Sequence, residues 1–251
     1  MRLVDLTLPF GAGMPTWPTF AGIEITPITT HARDGKSTLM LKTNMHTGTH
    51  IDAPSHYCET GRNLGQIPID DLVGTGLVVD LSPICDRWSI ITLDQLLAAT
   101  PEPIRERDIV IFHTGWHKYS WVESGYDEVT YFDRHPGFTP EVIDYLVDKK
   151  LKWFGVDTPS IDHSLQTRMR IIRPDLVREY EEMTGAPIEE TLPMKYFEYA
   201  HYKTARNDLC AVEIFGKEIL QILNQRVTLG AFPWRWLGGE GCICRVVAFL
   251  D

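Results

Sequence analysis

Residues 46–56 read His-Thr-Gly-Thr-His-Ile-Asp-Ala-Pro-Ser-His, placing three of the chain's nine histidines and one aspartate within eleven positions. His46, His50, Asp52 and His56 fall on even numbers, so in extended backbone they share one side. Convergence is the constraint on the fold. On a straight strand rising about 3.3 Å per residue, His46 and His50 stand about 13 Å apart. One ion, reached by each ligand across about 2 Å, does not span that gap. A helix brings i and i+4 together. But Thr47, Gly48 and Thr49 are poor helix formers, and Pro54 closes the segment. The remaining solution is a strand end that kinks at Gly48, in left-handed backbone or a bulge, followed by a loop through Pro54 that carries His56. Imidazole plus carboxylate is a donor set that suits a divalent transition metal. The plain alternative is a polar, His-rich surface loop. Four such side chains on one side, with Gly and Pro at the bends, favour the metal.

Around this segment, β-like runs fall at 2–8, 23–29, 37–45, 76–81, 108–112, 153–156, 208–214, 226–231 and 242–249. Thr92 with Gln95 forms a capping box that opens a helix over 92–99. Thr139 before Pro140 opens another over 139–149, with Val142, Leu146 and Val147 at helical spacing. Residues 175–184 read as a polar helix stopped by Gly185, and 217–224 as a fourth helix candidate. Strands alternating with single helices predict an α/β domain with a mixed sheet, one domain over 1–251. Cys58, Cys85, Cys210, Cys242 and Cys244 are odd in number and scattered, so no disulfide framework is expected, and Cys242 and Cys244 are expected to be buried on one side of a strand. A net charge of −10 argues against nucleic acid as a partner. No apolar run approaches the roughly 20 residues that cross a bilayer. Asp5 precedes any signal-like core, so a cytoplasmic location without membrane attachment is the expectation.

The pattern His-x-Gly-Thr-His-x-Asp-x-Pro-x-His resembles the signature of the cyclase family of metal-dependent hydrolases, which includes bacterial kynurenine formamidase and isatin hydrolase. Other stretches agree with it: Thr114-Gly-Trp116 after the apolar run 109–112, Gly155-Val-Asp-Thr-Pro-Ser-Ile-Asp162, His201 with Glu213 twelve residues on, and Gly238-Gly-Glu-Gly241. The chain departs from the family at Met14-Pro-Thr-Trp-Pro-Thr19, where a Pro-Gly-Asp-like turn is usual, and at 164–199, a long charged stretch that looks like an insertion. The resemblance implies a swivelling β/β/α-type fold with a mixed, barrel-like sheet and flanking helices. It also implies a divalent metal on His46, His50 and Asp52, with His201 and Glu213 completing a second site that Asp52 bridges. Zn or Mn fits this donor set, as does Fe(II), with one ion or two per chain. His56 is then the general base that becomes the general acid, acting on metal-activated water and on the leaving nitrogen. The implied assembly is a homodimer or a dimer of dimers. The implied substrate is a small molecule, an aryl formamide such as N-formylkynurenine. A cyclic amide or lactone is the alternative within enzymes, and a catalytically silent metal- or ligand-binding protein the alternative outside them.

Several residues carry weaker expectations. Trp17, Trp116 and Trp121 lie near these motifs, and Trp17 and Trp116 are candidates to stack on an aromatic substrate. His113 is a candidate substrate contact at a strand end, and His117 sits at i+4 from it across a helix-breaking Thr-Gly-Trp. Asp157 and Asp162 are expected to order the pocket or cap a turn. His135 and His163 are expected at the surface. Glu213, flanked by Leu209-Cys-Ala-Val212 and Ile214-Phe215, needs a metal or an arginine if it is buried.

Overall fold

The computed structural model describes residues 1–250. Its strands are β1 (Arg2–Asp5), β2 (Glu24–Thr29), β3 (Thr38–Lys42), β4 (His50–Asp52), β5 (Val73–Asp80), β6 (Ile90–Ile91), β7 (Ile109–His113), β8 (Gly137–Phe138), β9 (Trp153–Val156), β10 (Cys210–Glu213), β11 (Arg226–Pro233) and β12 (Gly241–Leu250). Strands β12, β11, β5, β7, β9, β10 and β4 pair in that order, and β4 pairs back to β12, closing a ring of seven. β1 extends the edge of β12 beyond β4. The run β5–β7–β9–β10 is parallel and the remaining pairs are antiparallel. Parallel neighbours need crossover connections, and the helices Leu93–Ala99, Pro140–Asp148 and Tyr199–Arg206 lie between them in the chain. The architecture is therefore mixed α/β, a barrel-like sheet with flanking helices, as expected.

Strand alternation sorts the side chains into two cores. Ile51, Val78, Ile111, Trp153, Val212, Leu229 and Cys242 come from all seven ring strands and fill the interior. Leu77, Val79, Val110, Phe112 and Phe154 point the other way and are covered by Leu96, Val142 and Leu146 of the helices. Strand β7 is buried on both faces, which is why its sequence is an unbroken apolar run rather than an alternation. Each fully buried Ile or Phe there contributes about 1.5–3 kcal/mol of transfer free energy.

Local signals explain the helix ends. The Thr92–Gln95 capping box is reciprocal: Gln95 N–H donates to Thr92 Oγ1 and Thr92 N–H donates to Gln95 Oε1. The helix Pro174–Thr184 stops at Gly185, whose φ of 70° is left-handed. Four expectations are corrected. The run 217–224 forms only a 3-10 stretch, Lys217–Gln221. The run 37–45 ends at Lys42, because β3 pairs with β2 in a separate hairpin instead of leading into β4. The run 2–8 ends as a strand at Asp5. His135 and His163 are 0% and 1% exposed, not surface residues. His163 is held inside by Leu165 N–H, which donates to its Nδ1, and by Trp88 O, which accepts from its Nε2. Burial pushes His135 down to about 3 and His163 to about 4. All five cysteines are free, with Cys242 and Cys244 buried in the interior core. Among the described residues no helix is long and apolar enough to cross a membrane.

Candidate metal centre

The chain bends continuously over 45–49 before entering β4, and Gly48 takes a φ of +65°. A Cβ there would also stand 2.8 Å from Met14 Cε, so both backbone and space require glycine. Gly48 O accepts a hydrogen bond from His50 Nδ1 at 2.8 Å. That bond fixes the tautomer and leaves His50 Nε2 as a free lone pair.

Register then supplies the carboxylates. β4 runs antiparallel to β10 with His50 opposite Glu213 and Asp52 opposite Ala211. Directly opposed residues share a face. His50, Asp52 and Glu213 therefore project from the outer face of the barrel while Ile51 points into the interior core. His50 Nε2 lies 3.4 Å from Asp52 Oδ1 and 3.4 Å from Glu213 Oε2.

His201 arrives from the first turn of the helix Tyr199–Arg206. Asp162 accepts from Ala200 N–H at 2.8 Å and from His201 N–H at 3.3 Å, capping that helix, and its Oδ2 stands 2.6 Å from His201 Nδ1. The ring is thereby aimed so that Nε2 faces Asp52 Oδ2 at 3.6 Å and Glu213 Oε1 at 3.5 Å. A carboxylate behind a ligating imidazole raises metal affinity about 10–100-fold. Asp162→Asn is accordingly expected to weaken metal binding by about that factor, measured by competition with a calibrated chelator. Unchanged affinity would show that His201 is not a ligand.

His46 completes one side. Its Nδ1 is 2.7 Å from Asp52 Oδ1 and its Nε2 3.3 Å from Glu240 Oε1. Its ring lies against Gly241, where a Cβ would come within 2.4 Å of His46 Cε1. His56, on the 3-10 turn Pro54–His56, stacks on His46 with ring centroids 4.0 Å apart. Tyr57 stacks on His201 at 4.6 Å.

The electrostatics are those of a cation site. Burial raises the Asp52 carboxyl, but His46, His56 and His201 outweigh it and hold it well below the usual carboxylate range. Burial lowers His46, but Asp52 and Glu240 outweigh it and hold that imidazole up at about 10. Burial likewise opposes the charge on His201, and Asp162, Asp52 and Glu213 hold it well above its ordinary value. His56 differs: burial pushes it down to about 4, reinforced by His46, His201 and His50 against the attraction of Asp52. Asp52 Oδ2 is buried with no hydrogen-bond partner. The separations of 3.4–3.6 Å among the Nε2 and carboxylate atoms are long for hydrogen bonds between buried charges. They suit donors that share one ion at about 2.0–2.2 Å. The residues fit a divalent metal.

The cluster forms one wall of a cavity of about 300 Å³. Trp17, Phe20 and Phe132 form an aromatic wall, and Arg168 and Glu198 line it as well. Trp17 meets Phe132 edge-on, with centroids 6.1 Å apart. Two expected substrate contacts lie elsewhere. Trp116 is 1% exposed, donates its Nε1–H to Tyr131 O and packs with Phe132 in a small core behind the wall. His113 is buried beside Asp80 and His117 and does not line the cavity. Trp121 donates to Pro9 O instead of reaching in. Residues that sequence reasoning missed are Tyr57, Phe20, Phe132, Arg168, Glu198 and Glu240. Of these only Glu240 stood inside a recognised motif.

A family model described as "Putative cyclase" matches residues 4–163. Similar relatives are the kynurenine formamidases of Erythrobacter litoralis, 24% identical over 204 residues covering 78% of this chain and 83% of that protein, and of Bacillus anthracis, 25% identical over 164 residues covering 64% and 70%. Among solved structures, isatin hydrolase A from Ralstonia solanacearum superposes with a TM-score of 0.78 at 20% identity, covering 100% of this chain and 92% of that one. An isatin hydrolase bound to the product analogue thioisatinate gives 0.79 at 21% identity, with the same coverage. These structural likenesses share the fold.

Proposed function

We propose that this chain, which belongs to the cyclase family and is a hydrolase, cleaves a C–N amide bond with a divalent metal held by His46, His50, Asp52, His201 and Glu213. One observation carries the reading: Asp52 Oδ2, buried without a hydrogen-bond partner, faces the free Nε2 of His201 in a cavity with room for a ligand. Zinc and manganese both suit the imidazole and carboxylate donors. Such an ion supplies Lewis acidity, lowering the pKa of water and polarising a carbonyl.

The chain's own residues do the rest. Asp162 and Gly48 O hold the ligating rings in the required tautomers. His56 lines the cavity beside the donors, and no hydrogen bond holds its ring among the described residues. It takes a proton from the attacking water and returns it to the departing nitrogen, which an amide needs in order to leave. Trp17, Phe20 and Phe132 receive a flat ring. Arg168, which borders the cavity, has no side-chain ion-pair or hydrogen-bond partner among the described residues, so it suits a substrate bearing a carboxylate.

An aryl formamide such as N-formylkynurenine has these features, and formamidases are among the relatives. A second reading, ring opening of a cyclic amide or lactone, draws on the isatin hydrolases, whose fold spans the whole chain. A panel of N-formyl anilines, cyclic amides and lactones, assayed with and without chelator, separates the two. We expect release of formate from the carboxylate-bearing formamide and loss of that activity on chelation. Ring opening alone would replace the first reading with the second, and turnover indifferent to chelation would end both.

A further inference from the structure

A second group of metal-type donors lies behind the aromatic wall, apart from the cluster in the cavity. β7 ends at His113, and the turn after it leads into the 3-10 stretch Trp116–Tyr119, which carries His117. Asp157 follows β9 and is completely buried. Its Oδ1 accepts from Thr114 N–H at 2.8 Å and from the Thr114 hydroxyl at 2.6 Å, while Oδ2 accepts from Trp116 N–H at 2.9 Å. Those bonds, with a longer one of 3.5 Å from His117 N–H to Oδ2, fix the turn around the carboxylate and hold Oδ2 facing the two imidazoles.

The consequence is a tight triangle of donor atoms. His113 Nε2 is 3.2 Å from His117 Nδ1, His117 Nδ1 is 3.7 Å from Asp157 Oδ2, and His113 Nε2 is 3.9 Å from Asp157 Oδ2. A point equidistant from the three corners lies about 2.1 Å from each, within the range of Zn–N and Zn–O bonds. The ring of His113 is also oriented as a ligand should be. Asp80 Oδ1 sits 2.9 Å from His113 Nδ1, and Asp80 is itself held by Ser82 N–H at 3.0 Å and the Ser82 hydroxyl at 2.7 Å. A carboxylate on Nδ1 keeps the proton there and leaves Nε2 to donate its lone pair. His117 borders a surface cavity of about 390 Å³, so the cluster lies close to solvent on that side.

We propose that His113, His117 and Asp157 form a second divalent-cation site of zinc type. It ties the ends of β7 and β9, and through Asp80 that of β5, together beside the Trp116 core that backs the cavity wall. The same distances admit a bare hydrogen bond from His117 Nδ1–H to His113 Nε2, and the two arrangements differ in what the protein takes up.

Chelator-stripped protein titrated with Co²⁺ alone reads this directly, as cobalt retained per chain after desalting and as visible d–d absorption. In the parent background, His117→Ala is expected to retain one equivalent fewer than the unmodified chain, with circular dichroism confirming the fold. In a His46→Ala/His50→Ala background, which strips two donors from the cavity cluster, one equivalent is expected to remain and to vanish when His117→Ala is added. If His117→Ala retains as much cobalt as the parent, the imidazoles are a hydrogen-bonded couple only and the site does not exist. Should the double variant not fold, the comparison of His117→Ala with its parent decides alone.

Discussion

Asp52→Asn is expected to lose both tightly held metal and hydrolysis, with kcat/KM falling by about three orders of magnitude or more. Asparagine keeps the shape and one acceptor oxygen but removes the charge on which the cluster is organised. Asp52 Oδ1 stands 2.7 Å from His46 and Oδ2 3.6 Å from His201, so the carboxylate is placed between imidazoles contributed by different parts of the fold. Lewis-acid stabilisation is worth several kcal/mol, and each 1.36 kcal/mol is about a factor of ten in rate. Losing it accounts for the size of the effect. Removing one partner from a buried charge cluster also costs about 3–5 kcal/mol of stability. The variant should therefore be checked by circular dichroism before elemental analysis and kinetics. A folded Asp52→Asn that keeps its ion and its rate would remove the basis of the proposed chemistry.

His56→Ala should separate binding from turnover. The ring is beside the donors, 4.0 Å from His46 between centroids and 6.0 Å from His201, yet its proposed work is proton transfer. General acid–base catalysis contributes about 10²–10⁴-fold, so kcat should fall by about that factor while metal content stays at the parent level. Because the leaving nitrogen needs the proton, the loss should be smaller for substrates whose leaving group is an easily expelled alkoxide. Loss of metal in His56→Ala would make it a ligand. Full retained activity would leave the proton transfer without a donor.

Much of this could be read from sequence where the signal is local. The kink at Gly48 followed from spacing alone, since two imidazoles four apart converge neither on a straight strand nor across Thr-Gly-Thr in a helix. The β-like runs marked six of the seven ring strands, and the capping box at Thr92 marked its helix within a residue; β4, His50–Asp52, forms where a loop after Gly48 was expected, because β10 and β12 pair with it on either side. What was not legible depends on contacts between distant segments. Nothing within 37–45 announces that the strand turns aside at Lys42, because that follows from β3 pairing with β2. His135 and His163 look polar in sequence, but partners such as Trp88, 75 positions from His163, enclose them. Trp17 and Trp116 are the same residue type near similar motifs. One reaches the cavity, while the other is drawn inward to satisfy its indole N–H on Tyr131 O. Arg168 and Glu198 are lone charges in a polar stretch, and only folding brings them to the cavity.

β4 is three residues long and is bonded on one side to β10 and on the other to β12. The shortest stave of the ring is thus the one that seals it, and its first and last residues, His50 and Asp52, are two of the proposed ligands. An ion gripped there would act as a rivet through the seam, joining β4, β10 and the helix Tyr199–Arg206. Mineral scarcity would then be felt as mechanical weakness together with lost catalysis, because the residues that run the chemistry also keep the vessel shut.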